Sequence, residues 1–300
     1  MIEGQNGLTW PRWQRLVPLV EDLGFAGLYR SDHFTNASPP DRESLELWTS
    51  LTWLATHTRR IPFGPLVTPC SLRHPVMTAR MAAAVDELSG GRLVLGMGAG
   101  WQEREHTNYG FELLPLRERM GRFEESLRIV NALFTSADPL TFSGRHYRLR
   151  DAVLLPRPRP GGPPILVGGN GLTRTLPLAA RYAVQWNATF QPPESFSRLT
   201  AHLDTLLERR GRHPSSMARS MMTGLVFGTS ASEVSGILQR RGRTREELRG
   251  RGALVGTPEE IVAQLRRLSA AGVQQVMLQW LDLDDLSGLR ALAETVLPHV

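Results

Sequence analysis

Residues Ala84–Trp101 read AVDELSGGRLVLGMGAGW, and this stretch decides the fold. Its first part continues a helical pattern that ends at Ser89-Gly90-Gly91, where glycine suits a helix C-cap. An apolar run of strand length, 92–97, follows and passes directly into a glycine-rich turn. A helix that ends on glycine just before a buried strand is the repeating unit of a parallel α/β sheet.

The same unit recurs along the chain. Helical periodicity is found at 11–23, 45–58, 74–88, 117–134, 172–182, 194–210, 258–271 and 285–296. Apolar runs lie between them at 27–30, 61–67, 92–97, 164–168, 183–188, 220–227 and 273–279, and Met1–Gly4 would be a short first strand. Eight strands alternating with helices predict an α/β fold of the (β/α)8 TIM-barrel type.

We expect one domain over residues 1–300, with insertions at about 138–163 and 239–252. The first insertion contains a predicted β-hairpin around Ser143-Gly144, and the second is a glycine- and arginine-rich connection. The first strand is several residues short, which leaves open a start upstream of Met1.

The composition excludes several classes of mechanism. All 35 basic side chains other than histidine are arginine, so no lysine is present for a Schiff base, a P-loop or a general base. Cys70 is the single cysteine, which excludes an intramolecular disulfide and an all-cysteine zinc site. No apolar run reaches membrane-spanning length and no export signal is visible, so we expect a cytoplasmic protein without membrane contact. The net charge of +6 is explained either by a general use of arginine in place of lysine or by an anionic ligand or partner.

In a barrel of this type the active site lies where the strands end. His33 follows the second strand, and we predict that it is the acid–base residue, with the neighbouring Asp32 orienting it. Cys70 has no evident histidine partner and is interpreted as a packed thiol. His74 is interpreted either as a helix cap or as a site residue.

Two glycine-rich turns predict contact between backbone and ligand. Residues 96–101 resemble a dinucleotide fingerprint but lack its last glycine; they predict that a flat ligand approaches the backbone of Gly98, Ala99 and Gly100. The second turn precedes a helix, and its bare amides beside an arginine predict a phosphate site. Its residues are Gly168, Gly169, Asn170, Gly171 and Arg174.

Two other kinds of site are not expected. The eight histidines show neither HxH nor HExxH spacing, so we predict no metal. The arginine-rich run 240–251 lacks interleaved aromatic residues, so we interpret it as a solvated connection and not as a nucleic-acid site.

Taken together, these residues resemble the luciferase-like monooxygenase superfamily, and in particular its branch of coenzyme F420-dependent oxidoreductases. The most specific stretch is the one quoted first, and the others are Val20–Phe25, Ser31–Phe34, Gly64–Pro75, Gly168–Arg181 and Gly256–Gly272. The resemblance implies a TIM barrel, usually a homodimer, that holds a flavin or deazaflavin over the strand ends.

The resemblance also implies roles for single residues. His33 matches an active-site acid or base, with Asp32 beside it. Pro65–Leu66 falls where many members have a non-prolyl cis peptide behind the cofactor ring, and Thr68 matches a ring-contacting threonine. Gly168–Gly171 match the phosphate loop.

The resulting hypothesis is an oxidoreductase that passes a hydride between coenzyme F420 and an organic substrate. The alternatives are an FMN-dependent monooxygenase, a cofactor-binding protein without turnover and, more remotely, a nucleic-acid module. Related sugar-phosphate dehydrogenases have a glutamate about where Trp101 stands, which argues against sugar-phosphate oxidation. Glu3, Trp101 and Tyr109 are the candidate substrate-facing residues.

Overall fold

The computed structural model describes residues 1–300 and consists of a parallel barrel surrounded by helices. The strands are β1 (Leu28–Arg30), β2 (Phe63–Pro65), β3 (Thr68–Pro69), β4 (Leu95–Gly98), β5 (Leu140–Ser143), β6 (Arg148–Ala152), β7 (Ile165–Gly168), β8 (Gln185–Thr189), β9 (Ala218–Phe227), β10 (Leu254–Gly256) and β11 (Gln275–Gln279). The helices are α1 (Trp10–Asp22), α2 (Leu47–His57), α3 (Pro75–Leu88), α4 (Glu103–Tyr109), α5 (Leu116–Thr135), α6 (Thr175–Tyr182), α7 (Pro193–Glu208), α8 (Ala231–Arg241), α9 (Arg245–Gly250), α10 (Pro258–Ala270) and α11 (Leu286–Val296).

The barrel closes through eight parallel strand positions. β1 pairs with β2, β3 with β4, and β4, β7, β8, β9 and β11 follow in that order around the wall. A bridge between Phe63 and Leu93 joins β2 to the β4 side. Ile2 closes the ring because it bridges Arg30 on one side and Trp280 on the other. The predicted TIM barrel is confirmed, and its first strand is reduced to this single bridging residue.

Glycines allow the third and fourth strands of the barrel to approach closely. A Cβ on Gly64 would lie 1.9 Å from the carbonyl oxygen of Val94, and one on Gly96 would lie 2.1 Å from that of Pro65. Leu93 and Leu95 are fully buried beside them. The stretch that decides the fold therefore combines apolar core residues with glycines that no other residue could replace without moving backbone.

The seam beside Ile2 is less completely packed. A cavity of about 460 Å³ lies between β1, β11 and the helices α1, α10 and α11, and most of its lining is apolar. Tyr29 is its one titratable side chain. Burial raises the pKa of Tyr29 to about 12. The α-amino group of Met1 also lines the cavity, and burial lowers its pKa to about 5.

The helices begin and end close to the predicted positions. At α10, Pro258 is the first helical residue and the Glu260 carboxylate accepts a hydrogen bond from the N–H of Thr257 at 3.0 Å. No helix is both long and apolar enough to cross a membrane.

The two predicted insertions have different structures. β5 and β6 form the expected antiparallel hairpin. Residues 239–252, predicted as a connection, instead contain the end of α8 and all of α9, and β10 then extends the ring beside the last residues of β9. The helices were missed because few of their residues face the core: Val234 is buried in α8 and no residue of α9 is.

Candidate active site

The residues predicted to be functional gather at the carboxyl ends of the barrel strands. This opening is called the mouth below, and it comprises the segments that follow Ile2, β1, β2, β4, β7 and β8. Parallel strands deliver these segments to the same end of a barrel, so residues far apart in sequence meet there.

His33 lies in the mouth and is held by a buried carboxylate. Its Nδ1 is 2.9 Å from Oε1 of Glu105, and their side chains are 17% and 1% exposed. Because a carboxylate only accepts hydrogen bonds, Nδ1 carries the hydrogen, and Nε2 has no partner in the chain. Burial by itself would lower the pKa of His33, but the hydrogen bond and charge of Glu105, with the charges of Glu3 and Asp32, outweigh it and raise that pKa. An imidazole in this setting can exchange a proton through Nε2.

Asp32 does not orient His33, so this part of the prediction is wrong. The Asp32 carboxylate accepts a hydrogen bond from Oγ1 of Thr68 at 2.7 Å and pairs with the guanidinium of Arg73, which also contacts Glu46 at 3.0 Å. Successive side chains of extended backbone point to opposite sides, so adjacent residues 32 and 33 reach different partners. Thr68 is buried and its hydroxyl proton is committed to Asp32.

The cis peptide lies one residue later than predicted. It joins Leu66 to Val67, not Pro65 to Leu66. The N–H of Leu66 still donates to the carbonyl oxygen of Arg30 at 2.8 Å, so regular pairing continues through residue 66 and the irregular backbone follows it. Pro65 and Leu66 are buried, whereas Val67 is partly exposed.

Val67 forms the floor of the mouth between two glycines. A Cβ on Gly98 would lie 2.4 Å from Cγ2 of Val67, and one on Gly168 would lie 2.9 Å from Cγ1. Both glycines are therefore required for the valine to occupy this place. The result is a partly exposed apolar side chain flanked by bare backbone, which leaves space for a planar ring.

The turn 98–100 continues this bare wall. Gly100 has a φ of +83°, and a Cβ there would lie 2.4 Å from the Ser71 hydroxyl. The N–H of Cys70 donates to the carbonyl oxygen of Gly98 at 2.9 Å, which ties the turn to the end of β3. Ala99 and Gly100 are partly exposed to the mouth.

The loop 168–174 presents unused backbone donors. The N–H groups of residues 170–174 make no hydrogen bond within the chain, and they precede the exposed N-terminus of α6. Arg174 is exposed and forms no ion pair. The Asn170 side chain is already used: its Nδ2 donates to the carbonyl oxygen of Thr189 at 2.8 Å and its Oδ1 accepts from the Thr189 N–H at 2.9 Å. This loop fits a phosphate through its amides, with Asn170 fixing its shape.

The three substrate candidates border the His33 side of the mouth. Trp101 is 62% exposed and meets the His33 ring edge to face at 5.6 Å between centroids. Tyr109 is 55% exposed and packs in the same way on Phe34 at 5.2 Å. Glu3 accepts a hydrogen bond from Nε2 of Gln5 at 2.9 Å and is partly buried. The mouth thus has an aromatic edge and an acidic side.

Other predicted features lie outside the mouth chemistry. Cys70 is buried, which raises the pKa of its thiol to about 11 and makes it a poor nucleophile. His74 caps α3, since its Nδ1 accepts from the N–H of Val76 at 3.3 Å, and burial lowers its pKa. No group of three His, Cys, Asp or Glu side chains could hold a metal ion.

Sequence reasoning missed Glu105 and Val67. The sequence by itself assigns no role to either residue. The available signal was an acidic residue one turn into a segment that directly follows a glycine-rich strand end. The sequence does not indicate that Val67 lines the mouth, because the exposure of its side chain depends on the irregular backbone that follows Leu66.

Comparison with known proteins identifies the family of the chain. Residues 3–240 match the family model of luciferase-like monooxygenases. The chain is 32% identical over 168 residues to the F420-dependent glucose-6-phosphate dehydrogenase of Amycolatopsis mediterranei, an alignment that covers 55% of this chain and about half (47%) of that protein. It is 26% identical to the 5,10-methylenetetrahydromethanopterin reductase of Archaeoglobus fulgidus, with 92% and 91% of the two chains covered.

A solved structure shows the same fold over the whole chain. An F420-dependent secondary alcohol dehydrogenase, solved in complex with an F420-acetone adduct, superposes with a TM-score of 0.86 at 18% identity and covers 100% of this chain and 99% of its own. The match to the family model covers most of the sequence, and the barrel agrees with it. The chain belongs to the luciferase-like monooxygenase family.

Proposed function

We propose that the chain is an oxidoreductase that binds coenzyme F420 and passes a hydride between this coenzyme and an organic substrate. The observation that carries the proposal is the His33–Glu105 pair at the edge of a glycine-flanked floor. Bound F420 would supply the hydride chemistry, and His33 would move the accompanying proton through Nε2. The F420-dependent relatives support the choice of coenzyme.

The chain offers separate contacts for the two ends of such a coenzyme. Val67 and the backbone of Gly98–Gly100 would lie against the ring. The free amides of residues 170–174 and the Arg174 guanidinium would hold the phosphate. Thr68 and Asp32 support the ring site from behind through their mutual hydrogen bond.

The substrate side of the mouth favours an uncharged molecule. Two arginines that contact the segment around His33 are engaged in ion pairs: Arg73 with Asp32 and Glu46, and Arg104 with Asp41. No lysine exists to bind an anionic group. Trp101 and Tyr109 would contact an apolar part of the substrate, and Glu3 would repel a negative one. These features argue against a sugar phosphate.

An anaerobic assay tests the proposal. The purified chain is mixed with reduced F420 and a panel of uncharged ketones, aldehydes and enones, and reoxidation of F420 is followed by absorbance. We expect substrate-dependent reoxidation that is lost in His33→Asn. Tight F420 binding without reoxidation by any oxidant, and without reduction of oxidised F420 by alcohols, would indicate a binding protein without turnover.

The second candidate is an FMN-dependent monooxygenase, favoured by the family to which the chain belongs. Reduced flavin activates oxygen, so this reading predicts substrate-dependent oxygen uptake with reduced FMN and none with F420. We also expect a cytoplasmic homodimer, on the family resemblance, and light scattering after size exclusion measures the mass.

A further inference from the structure

Glu105 is fixed on the segment that contains His33 by both of its oxygens. Oε1 lies 2.9 Å from Nδ1 of His33, and Oε2 accepts a hydrogen bond from the N–H of Phe34 at 3.1 Å. A carboxylate bound at two points cannot rotate freely, so the imidazole plane is fixed along with it.

The helix that bears Glu105 is itself anchored. Nε2 of Gln102, at the start of α4, donates to the carbonyl oxygen of Thr35 at 2.8 Å. His106 bridges the carbonyl oxygen of Gln102 at 2.7 Å and the Ser71 hydroxyl at 2.8 Å. All three side-chain positions, 102, 105 and 106, are buried. This places α4 against the loops after β1 and β3 and sets the position of the carboxylate.

His33 is the only cationic partner available to Glu105. No arginine forms an ion pair with Glu105, although the chain has fifteen ion pairs. A buried carboxylate without a counter-ion is costly, so a proton on His33 stabilises the pair. The other charges that face His33 are Glu3 and Asp32, and the charge of Asp32 is balanced by Arg73.

We propose that Glu105 is the positioning residue of the site: it holds His33 as an imidazolium with Nε2–H directed to the mouth, ready to donate a proton when a substrate is reduced. This rests on the proposed function. In a carbonyl reduction, the substrate carbon accepts the hydride that reduced F420 supplies, and the C=O double bond becomes a single bond. The substrate oxygen takes the proton as the Nε2–H bond breaks. The two electrons of the hydride would come from the reduced coenzyme, which would return to its oxidised form as its ring N–H proton passes to solvent, and solvent returns a proton to His33.

Histidine titration of the protein without coenzyme is the first test. With ¹⁵N-labelled histidine, and with His33 assigned by comparison with His33→Asn, we expect the pKa of His33 to lie above the ordinary value of about 6.5. In Glu105→Gln the burial remains and the charge is lost, so we expect that pKa to fall below the ordinary value. Glu105→Asp keeps the charge and should restore part of the elevation.

Glu103→Gln is the matched control, because Glu103 is an exposed acid on the same helix. We expect it to leave the pKa of His33 unchanged. A wild-type pKa at or below the ordinary value would overturn the proposal even if no Glu105 variant folds. An equal shift in both glutamine variants would also overturn it.

The pH profile of reduction separates positioning from mere structural support. In the wild type, kcat with reduced F420 should decline as the pH rises through the raised pKa of His33. In Glu105→Gln this decline should move to lower pH, while the KM for F420 stays within about twofold. An unshifted profile would contradict the proposal.

The two proposals can fail separately. If His33 titrates as expected and the chain neither binds nor oxidises F420, the proposed function fails and the charge relation between Glu105 and His33 stands. If F420 is turned over and Glu105→Gln leaves both the titration and the pH profile unchanged, this inference fails by itself.

Discussion

Two regions at the same end of the barrel are constructed in opposite ways. One is the His33 pocket, which consists of His33, Glu105, Asp32, Thr68 and Arg73, and the other is the loop 168–174. In the pocket, buried side chains satisfy one another: Glu105 holds His33, and Arg73 and Thr68 hold Asp32. In the loop, five backbone N–H groups stay without partners beside an exposed arginine. The pocket is complete before any ligand arrives, whereas the loop leaves its donors free for one.

This difference separates chemistry from binding. Proton transfer requires an acid with a fixed direction and a shifted pKa, and buried carboxylates provide both. Phosphate binding requires donors that water can leave readily, and an open helix N-terminus provides them. Substitutions in the His33 pocket should therefore change the turnover rate, and those in the loop should change the affinity for F420.

The largest effect is expected for His33→Asn. Asparagine can still donate a hydrogen bond to Glu105 but cannot transfer a proton, so turnover should fall by about 10² to 10⁴-fold. The dissociation constant for F420 should stay within about threefold, as measured by fluorescence titration. Loss of binding together with rate would mean that the pocket also holds the coenzyme, and the contrast with the loop would disappear.

The next largest effect is expected at Val67, which forms the floor of the mouth and borders both the His33 pocket and the loop 168–174. Gly98→Ala places a methyl group against Val67, and such overpacking costs about 1 to 3 kcal/mol of unfolding free energy. F420 binding should weaken because Val67 is displaced. The double variant with Val67→Ala removes the clash and should recover most of the stability in urea denaturation. No recovery would show that Val67 is not the residue that Gly98 accommodates.

A smaller effect is expected in the loop. Arg174→Gln removes one exposed charge, and exposed ion pairs contribute up to about 1 kcal/mol, so F420 affinity should fall by up to about fivefold. The loss should shrink at high salt, while the anaerobic single-turnover rate at saturating F420 is unchanged. Arg181→Gln, which changes an exposed arginine near the end of the adjacent helix α6, 3.8 Å from Glu124, is the control and should leave F420 affinity unchanged.

The smallest effect is expected on the pH dependence of the free energy of unfolding. The folded-state pKa of His33 is raised, so its proton contributes stability that is fully present below the unfolded pKa, about 6.5, and is lost as the pH rises through the folded value. The stability of the wild type relative to Glu105→Gln should therefore decrease with rising pH in urea titrations. A difference that grows with pH would contradict the assigned charge on the pair.

The barrel and most of its helices could be predicted because their signals are local. Apolar runs that end on glycine, such as 92–100, specify a strand and its turn without reference to the rest of the chain. The single bridge at Ile2 also follows from the short first apolar segment. α8 and α9 could not be predicted, since they bury too little apolar surface to leave a period in the sequence.

The candidate site was predictable in location but only partly in its contacts. His33 and the two glycine turns lie at strand ends, which chain order alone brings together. The partner of His33 depends on how α4 docks through Gln102, a contact 67 residues distant in sequence. The N–H of Leu66 donates to the carbonyl oxygen of Arg30, 36 residues earlier in the sequence. Neither contact leaves a local pattern.

The central claim is most directly tested by parallel fluorescence titrations of the purified chain with oxidised F420 and with FMN. We predict that F420 binds at least tenfold more tightly than FMN. We also predict that Arg174→Gln weakens F420 binding and His33→Asn does not. Tighter binding of FMN, or binding of neither compound by a folded chain, would contradict the assignment of this barrel to deazaflavin chemistry.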